Sequence, residues 1–383
     1  MSVTAAQGFR ASGVAAGLKA SGGLDVALIA NHGPMDSAAG VFTINRVKAA
    51  PVQWSQQVLT SGRLTAVVLN AGGANACTGP AGFRDTHATA ERVADRLGIG
   101  AGEVAVCSTG LIGEPLPMPA LLAGVDQAAQ ALSPDGGQAA ATAILTTDKV
   151  TKQAAAQRDG WIVGGMAKGA GMLAPGLATM LAVLTTDAAV DPADCDRALR
   201  AATARTLDRI DSDGCMSTND TVLLLANGAS GVRPTDVEFD RAVEDVCGQL
   251  ARALIADAEG ASHDIAVHVV GAFSDDEAVE VGRAVARSNL LKCAIFGGDP
   301  NWGRVVAAVG TTRATFTPDD IDVLINGVKV CSGCAPGEPR ELVDLSARLV
   351  EITIDLHAGG RALTVWTNDL TTDYVHENSA YST

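Results

Sequence analysis

Short β-branched runs alternate along this chain with longer stretches in which apolar side chains recur at helical spacing. The short runs predict strands over residues 64–69, 103–106, 161–163, 221–226, 265–270, 321–325, 350–356 and 362–366. The longer stretches predict helices over 86–97, 119–132, 192–210, 235–258 and 275–288. The fourth helix is the plainest, because Phe239, Val243, Val246, Leu250 and Leu254 form one apolar stripe. Pro234-Thr235-Asp236 supplies its cap and Gly260 its stop. Helices fall in groups between strands, which predicts a layered α/β or α+β fold with helix-covered sheets. The Gly- and Ser-rich stretches 133–138 and 227–231 read as loops. A lobe boundary near Ser262 divides a main domain, 1–262, from a smaller α+β lobe, 263–383.

One apolar run departs from this pattern. KGAGMLAPGLATMLAVLTTD, from Lys168 to Asp187, carries no charge between its ends and holds one interior hydroxyl, Thr179, before the closing Thr-Thr-Asp. A membrane span needs about 20 predominantly apolar residues, and this run gives positions to Gly169, Gly171, Pro175 and Gly176. Gly169, Gly171 and Ala174 fit a dinucleotide loop, but no acidic residue ending a second strand follows to hold a ribose. Two readings of Thr179 stay open. It is a core hydroxyl bonded to a nearby carbonyl, or it is a latent nucleophile that attacks the carbonyl of Ala178 and becomes a new amino terminus. An α-amine has a pKa near 8, so such a residue carries its own base.

Composition narrows the choices. A chain of 383 residues has room for one large or two ordinary domains. A net charge of −15 argues against nucleic acid or an anionic membrane as partner. With 47% hydrophobic but only 3% aromatic residues, the core is expected to be built from small side chains. The amino-terminal MSVTAAQGFRASGVAAG has no basic segment leading into an apolar one, so no signal peptide and a cytoplasmic location are expected. Eight scattered cysteines suit reduced, mostly buried thiols, and Cys331 and Cys334 fit a turn around Gly333 better than a zinc or redox site. The six histidines have no paired metal spacing, and Ser230 misses a nucleophile elbow by one position. Neither metal nor resident cofactor is expected.

Three loops carry further candidate chemistry. Ser108 to Gly113 follows a strand and can aim backbone N–H groups and a hydroxyl at an oxyanion, a strand-ending turn being the alternative. Asn70 to Gly79 is a glycine-rich loop that admits close approach of a ligand, or an ordinary wide loop. Asp299 to Arg304 combines turn formers with Trp302 and Arg304, as a rim for an anionic substrate or as a structural turn. Thr-Thr-Asp recurs at 146–148, 185–187 and 371–373 and reads as structural punctuation.

Eight segments in order, NAGGANACTG, STGLIGEPLPM, TTD, GGMAKGAGMLAP with LATMLAVLTTD, STNDT, DAEG, GGDPNWGR and the C-terminal ENSAYST, resemble the ornithine acetyltransferase family, the glutamate N-acetyltransferases of arginine biosynthesis. The resemblance covers essentially the whole chain. It implies an αββα-type main domain and a proenzyme that cuts itself between Ala178 and Thr179 into an α chain, 1–178, and a β chain, 179–383. Thr179 is then the nucleophile of a ping-pong transfer of acetyl from N-acetylornithine to glutamate, and Thr109 and Gly110 match the family's oxyanion hole. Thr146, Lys168, Thr179, Glu259, Asn378 and Thr383 match its substrate-binding positions. A heterotetramer of two α and two β chains is implied, with acetyl-CoA as a further donor in bifunctional members. The nearest rival is a self-processing aminopeptidase or amidohydrolase using the same amino-terminal hydroxyl. The chain departs from the family pattern at Ser262-His263, where Thr-Lys is usual, at Cys293, where threonine is usual, and at Gly176.

Overall fold

The strand-forming runs pair into three sheets in a computed structural model that describes residues 2–174 and 180–380. The first sheet orders β1 (Phe9–Val14), β2 (Val26–Asn31), β4 (Ala66–Ala71) and β5 (Val104–Thr109). The second orders β3 (Ser37–Phe42), β9 (Thr221–Ala226), β8 (Leu181–Thr186), β7 (Trp161–Lys168) and β6 (Lys152–Arg158). The third orders β13 (Ala335–Pro336), β12 (Val328–Ser332), β11 (Asp322–Ile325), β14 (Leu349–Asp355), β10 (Asp264–Ala272) and β15 (Arg361–Asn368).

Side-chain alternation stacks the first two sheets. In β8, Leu181 and Val183 join the core shared with β2, β4 and β5, whereas Ala182 and Leu184 face the helices on the other side. Those helices are α5 (Pro192–Arg205) and α6 (Asp236–Ala256). On the opposite flank α2 (Gly79–Leu97) and α3 (Met118–Gln130) cover the first sheet, while α1 (Ala50–Val58) and α4 (Gly137–Ala143) sit against its edge strands β5 and β1. The main lobe is therefore layered αββα. The third sheet forms its own core with α7 (Asp275–Ala286), α8 (Asn289–Phe296) and α9 (Trp302–Val309). From that lobe α10 (Thr372–Ala380) returns toward the main one.

The stripe predicted for α6 is fully buried, and Thr235 and Glu238 form a reciprocal capping box at its start. Other boundaries differ from the expectation. The helix predicted over 192–210 ends at Arg205 and gives way to a tighter turn at Leu207–Arg209. Asp299 to Arg304 is the entrance to α9, where the Asn301 side chain accepts the Arg304 N–H and Trp302 packs on the third core. That loop lines none of the site described below, so its rim reading is corrected. Four of the eight free thiols are exposed (Cys77, Cys215, Cys293 and Cys334), against the expectation of mostly buried ones. Gly333 and Cys334, both at positive φ, form the β12–β13 turn.

Candidate active site

The two glycine-rich loops read separately from the sequence form one structure. β4 and β5 run parallel, so the loops that leave them emerge side by side, and the Thr109 carbonyl accepts from the N–H groups of both Gly72 (2.9 Å) and Gly73 (3.1 Å). Gly110 then turns with φ +133°, and a Cβ there would lie 2.6 Å from the Gly73 nitrogen. Only glycine lets the two loops approach this closely. The Gly110 N–H has no acceptor among the described residues, which leaves it free for a ligand.

β7 brings Lys168 to the same place. Its side chain is buried, and its Nζ donates to the hydroxyls of Thr109 (2.9 Å) and Thr146 (2.8 Å). Because Thr109 Oγ1 accepts from Lys168, its own proton is free to be donated elsewhere. Burial pushes the Lys168 pKa down, and Asp148 opposes this. Burial alone would raise the pKa of Asp148, but Lys168, Lys152, and the Gly169 N–H at 2.7 Å bring it down to about 2. Beneath it Lys152 is bound at 2.6 Å to Asp148 and at 2.6 Å to Asp257. Among these buried groups the Lys168 side chain lines the cavity.

Glu259 arrives from the end of α6. Its N–H donates to the Ala170 carbonyl at 3.0 Å, and its two carboxylate oxygens accept from Thr147 (2.7 Å) and Asn378 (2.9 Å). Asn378 reaches it because α10 packs on Gly260, which adopts φ +61° and where a Cβ would lie 2.1 Å from the Tyr374 nitrogen. Thr109, Gly110, Thr146, Lys168, Glu259 and Asn378 thus line one cavity of about 230 Å³. Ala178, Thr179 and Thr383 lie outside the described residues. Met180, the residue that follows Thr179 in the chain, is anchored through its N–H to Asp220 Oδ1 at 2.9 Å.

Sequence reasoning missed part of the lining: Thr147, Met172, Asp213, Cys215 and Tyr374. Burial raises the pKa of Asp213 and pushes the Tyr374 hydroxyl up to about 12. Thr147 was legible only as the middle of a triplet taken for punctuation, and at 146–148 that reading is corrected. Each member holds a different part of the site: Lys168, Glu259 and the Gly169 N–H. A hollow of about 470 Å³ adjoins across Asp213, Glu259 and Tyr374 and is lined on its far side by Arg287 and Lys292. Burial lowers the Lys292 pKa to about 8. Ser262 and His263 do not line the 230 Å³ cavity; their N–H groups both donate to the carboxylate of Asp369, which lines the adjoining hollow, and Cys293 lies exposed on α8. Among the described residues no group of three or more His, Cys, Asp or Glu is placed to hold a metal ion, and no helix is long and apolar enough to cross a membrane.

The cavity wall brings together the Lys168 Nζ, the Glu259 carboxylate, the Thr109 hydroxyl and the Gly110 N–H. A small ligand carrying both a carboxylate and an ammonium would find a partner for each there. A family model described as ArgJ family matches residues 10–383. The chain is 67% identical over 382 residues to the arginine biosynthesis bifunctional protein ArgJ of Streptomyces coelicolor, with 100% of both chains covered. It is 63% identical over 383 residues to the protein of the same name from Thermobifida fusca, again over 100% of both. Among solved structures it is similar to the ornithine acetyltransferase of Mycobacterium tuberculosis complexed with ornithine, 63% identical over 47% of this chain and 96% of that one, with a TM-score of 0.45.

Proposed function

Since the chain belongs to the ArgJ family and is an acyltransferase of arginine biosynthesis, we propose that it moves acetyl from N-acetylornithine to glutamate through an ester of Thr179. The observation that carries this reading is the Lys168 ammonium bonded to the Thr109 and Thr146 hydroxyls in a cavity shared with the Glu259–Asn378 pair. A cation for the amino-acid carboxylate and a carboxylate for the ornithine side-chain ammonium flank the proposed oxyanion donors.

The chain first processes itself. Thr179 Oγ attacks the Ala178 carbonyl, the peptide bond shifts to an ester, and water hydrolyses the ester. Chains 1–178 and 179–383 result, and the Thr179 α-amine is released. That amine then takes the hydroxyl proton as Thr179 Oγ attacks the acetyl carbon of N-acetylornithine. The Thr109 hydroxyl and the Gly110 N–H stabilise the oxyanion, and collapse expels the α-amine of ornithine carrying the proton from the Thr179 ammonium. Glutamate enters, its α-amine attacks the ester, and N-acetylglutamate leaves with Thr179 restored. Thr383 belongs to the same binding set.

The relatives' designation as bifunctional supports acetyl-CoA as a second acetyl donor to glutamate. The working assembly is a cytoplasmic heterotetramer of two α and two β chains with no resident cofactor. Intact-mass analysis of the purified chain and an acetyl-transfer assay test the scheme together. An unbroken chain with no new terminus at Thr179 refutes self-cleavage. Acetate release from N-acetylornithine that is no slower without glutamate than with it replaces the transferase by an amidohydrolase.

A further inference from the structure

Acyl transfer through Thr179 requires the nucleophile and the oxyanion hole to hold a fixed separation, yet the described residues that lead to each lie at the ends of different sheets. Thr109 ends β5 of the first sheet and Gly110 follows it, whereas Met180 leads into β8 of the second. Two adjacent residues at the entrance to β9, Asn219 and Asp220, touch both sides. The Asn219 amide donates to the carbonyl of Ser108 at 2.8 Å and to that of Ala74 at 2.6 Å. Ser108 directly precedes the oxyanion turn, and Ala74 lies in the glycine-rich loop beside it. The orientation of this amide is fixed by the Thr218 hydroxyl, which donates to Asn219 Oδ1 at 2.6 Å.

Asp220 Oδ1 accepts the Met180 N–H at 2.9 Å, and the neighbouring Thr221 N–H donates to the Met180 carbonyl at 3.0 Å. Both polar groups of Met180 are thereby held from β9. Asn219 is 4% exposed and Asp220 0%, so these bonds have no competing water. Resting on the function proposed above, we propose that Asn219 and Asp220 are positioning residues, a clamp that registers the Thr179 nucleophile against the Thr109–Gly110 oxyanion hole in both self-cleavage and acetyl transfer. Burial pushes the Asp220 carboxyl well above the usual carboxylate range, and asparagine is the isostere that keeps an acceptor oxygen for the Met180 N–H.

The full chain carrying Asn219→Ala, Asp220→Ala or Asp220→Asn tests the clamp. Processing is followed by intact mass, turnover is normalised to the active fraction given by the acetyl-enzyme burst, and folding is checked by melting temperature. A misplacement of about 1 Å costs on the order of 100-fold in rate, so both alanine variants are expected to process and turn over about that much more slowly. Their KM values for N-acetylornithine and glutamate should stay within about threefold of wild type, because Lys168 and Glu259 hold the substrate ends. Asp220→Asn is expected to exceed Asp220→Ala by about tenfold or more in both rates, a rescue that mere loss of stability would not produce. Folded alanine variants within about threefold of wild type in both rates overturn the clamp, as does an asparagine variant no better than alanine. Should Asp220→Ala fail to fold, Asn219→Ala decides on the same criteria. An uncleaved wild-type chain refutes the self-cleavage scheme and the clamp with it, whereas a cleaved wild type with unimpaired variants refutes the clamp alone.

Discussion

Replacing Lys168 by methionine removes a charge from the cavity while keeping most of the side chain's length and volume. Lys168 is 1% exposed, so an amino-acid carboxylate that meets its ammonium does so with little screening by water. Truncating one partner of a buried, hydrogen-bonded charge pair costs about 2–5 kcal/mol. At 1.36 kcal/mol per decade, kcat/KM should fall about 30-fold to several-thousand-fold. The loss should divide between the two constants. The carboxylate anchor is made in ground and transition states alike and appears in KM for both amino acids, whereas the hydrogen bond that orients Thr109 appears in kcat. Folding should survive, because Asp148 keeps Lys152 at 2.6 Å and the N–H of Gly169 at 2.7 Å, and burial already disfavours the Lys168 charge. The assay is acetyl transfer with each substrate varied in turn, on protein whose processing is confirmed by mass. Fully processed Lys168→Met with kcat/KM within about threefold of wild type for both substrates removes Lys168 from the site.

Three further outcomes follow from the same geometry. Thr179→Ala should give a folded, unprocessed, inactive chain and Thr179→Ser some residual processing; a serine variant as inert as alanine on intact mass counts against hydroxyl attack. Thr147→Val removes the 2.7 Å donor to Glu259 and should raise KM for N-acetylornithine roughly tenfold, the value of a charge-assisted hydrogen bond of about 1.5 kcal/mol; an unchanged KM contradicts this. The Asp148 pKa is depressed from 3.8 to about 2, so its stabilisation is complete above pH 3.8 and lost as pH falls through 2. Denaturant titrations should therefore find the stability gap between wild type and Asp148→Asn shrinking by about 2 kcal/mol from pH 5 to pH 2, and a constant gap refutes the assignment.

What the sequence made legible follows from how each element is held. The long helix α6 and the strand β9 stand where periodicity predicted them, because large apolar side chains mark one face of the helix and every position of the strand is buried. β1 (FRASGV) and β6 (KQAAAQR) were invisible: alanine and glycine carry almost no alternation signal, and these strands are held by neighbours that only the fold supplies. α8 and α9 are short and owe their starts to Ser288 and Asn301 side-chain caps, which look like turn residues in a chain read alone.

The site depends even more on placement, as the three Thr-Thr-Asp triplets demonstrate. At 185–187 the hydroxyls donate to the backbone carbonyls of Val3 and Ile162, and Asp187 accepts from the backbone of Gln7 and Ile162. At 371–373 the Thr371 hydroxyl donates to the Gly260 carbonyl and accepts the Tyr374 N–H. These bonds tie backbone to backbone, and none of the three hydroxyls lines the cavity. At 146–148 the same residue types meet Lys168, Glu259 and the Gly169 N–H beside a cavity, so their dipoles tune charges that a substrate can reach. A triplet bonded to backbone fixes architecture, and one bonded to ionised side chains at a cavity wall sets chemistry. The difference lies in residues 22 and 112 positions away along the chain, Lys168 from Thr146 and Glu259 from Thr147, and no local pattern encodes it.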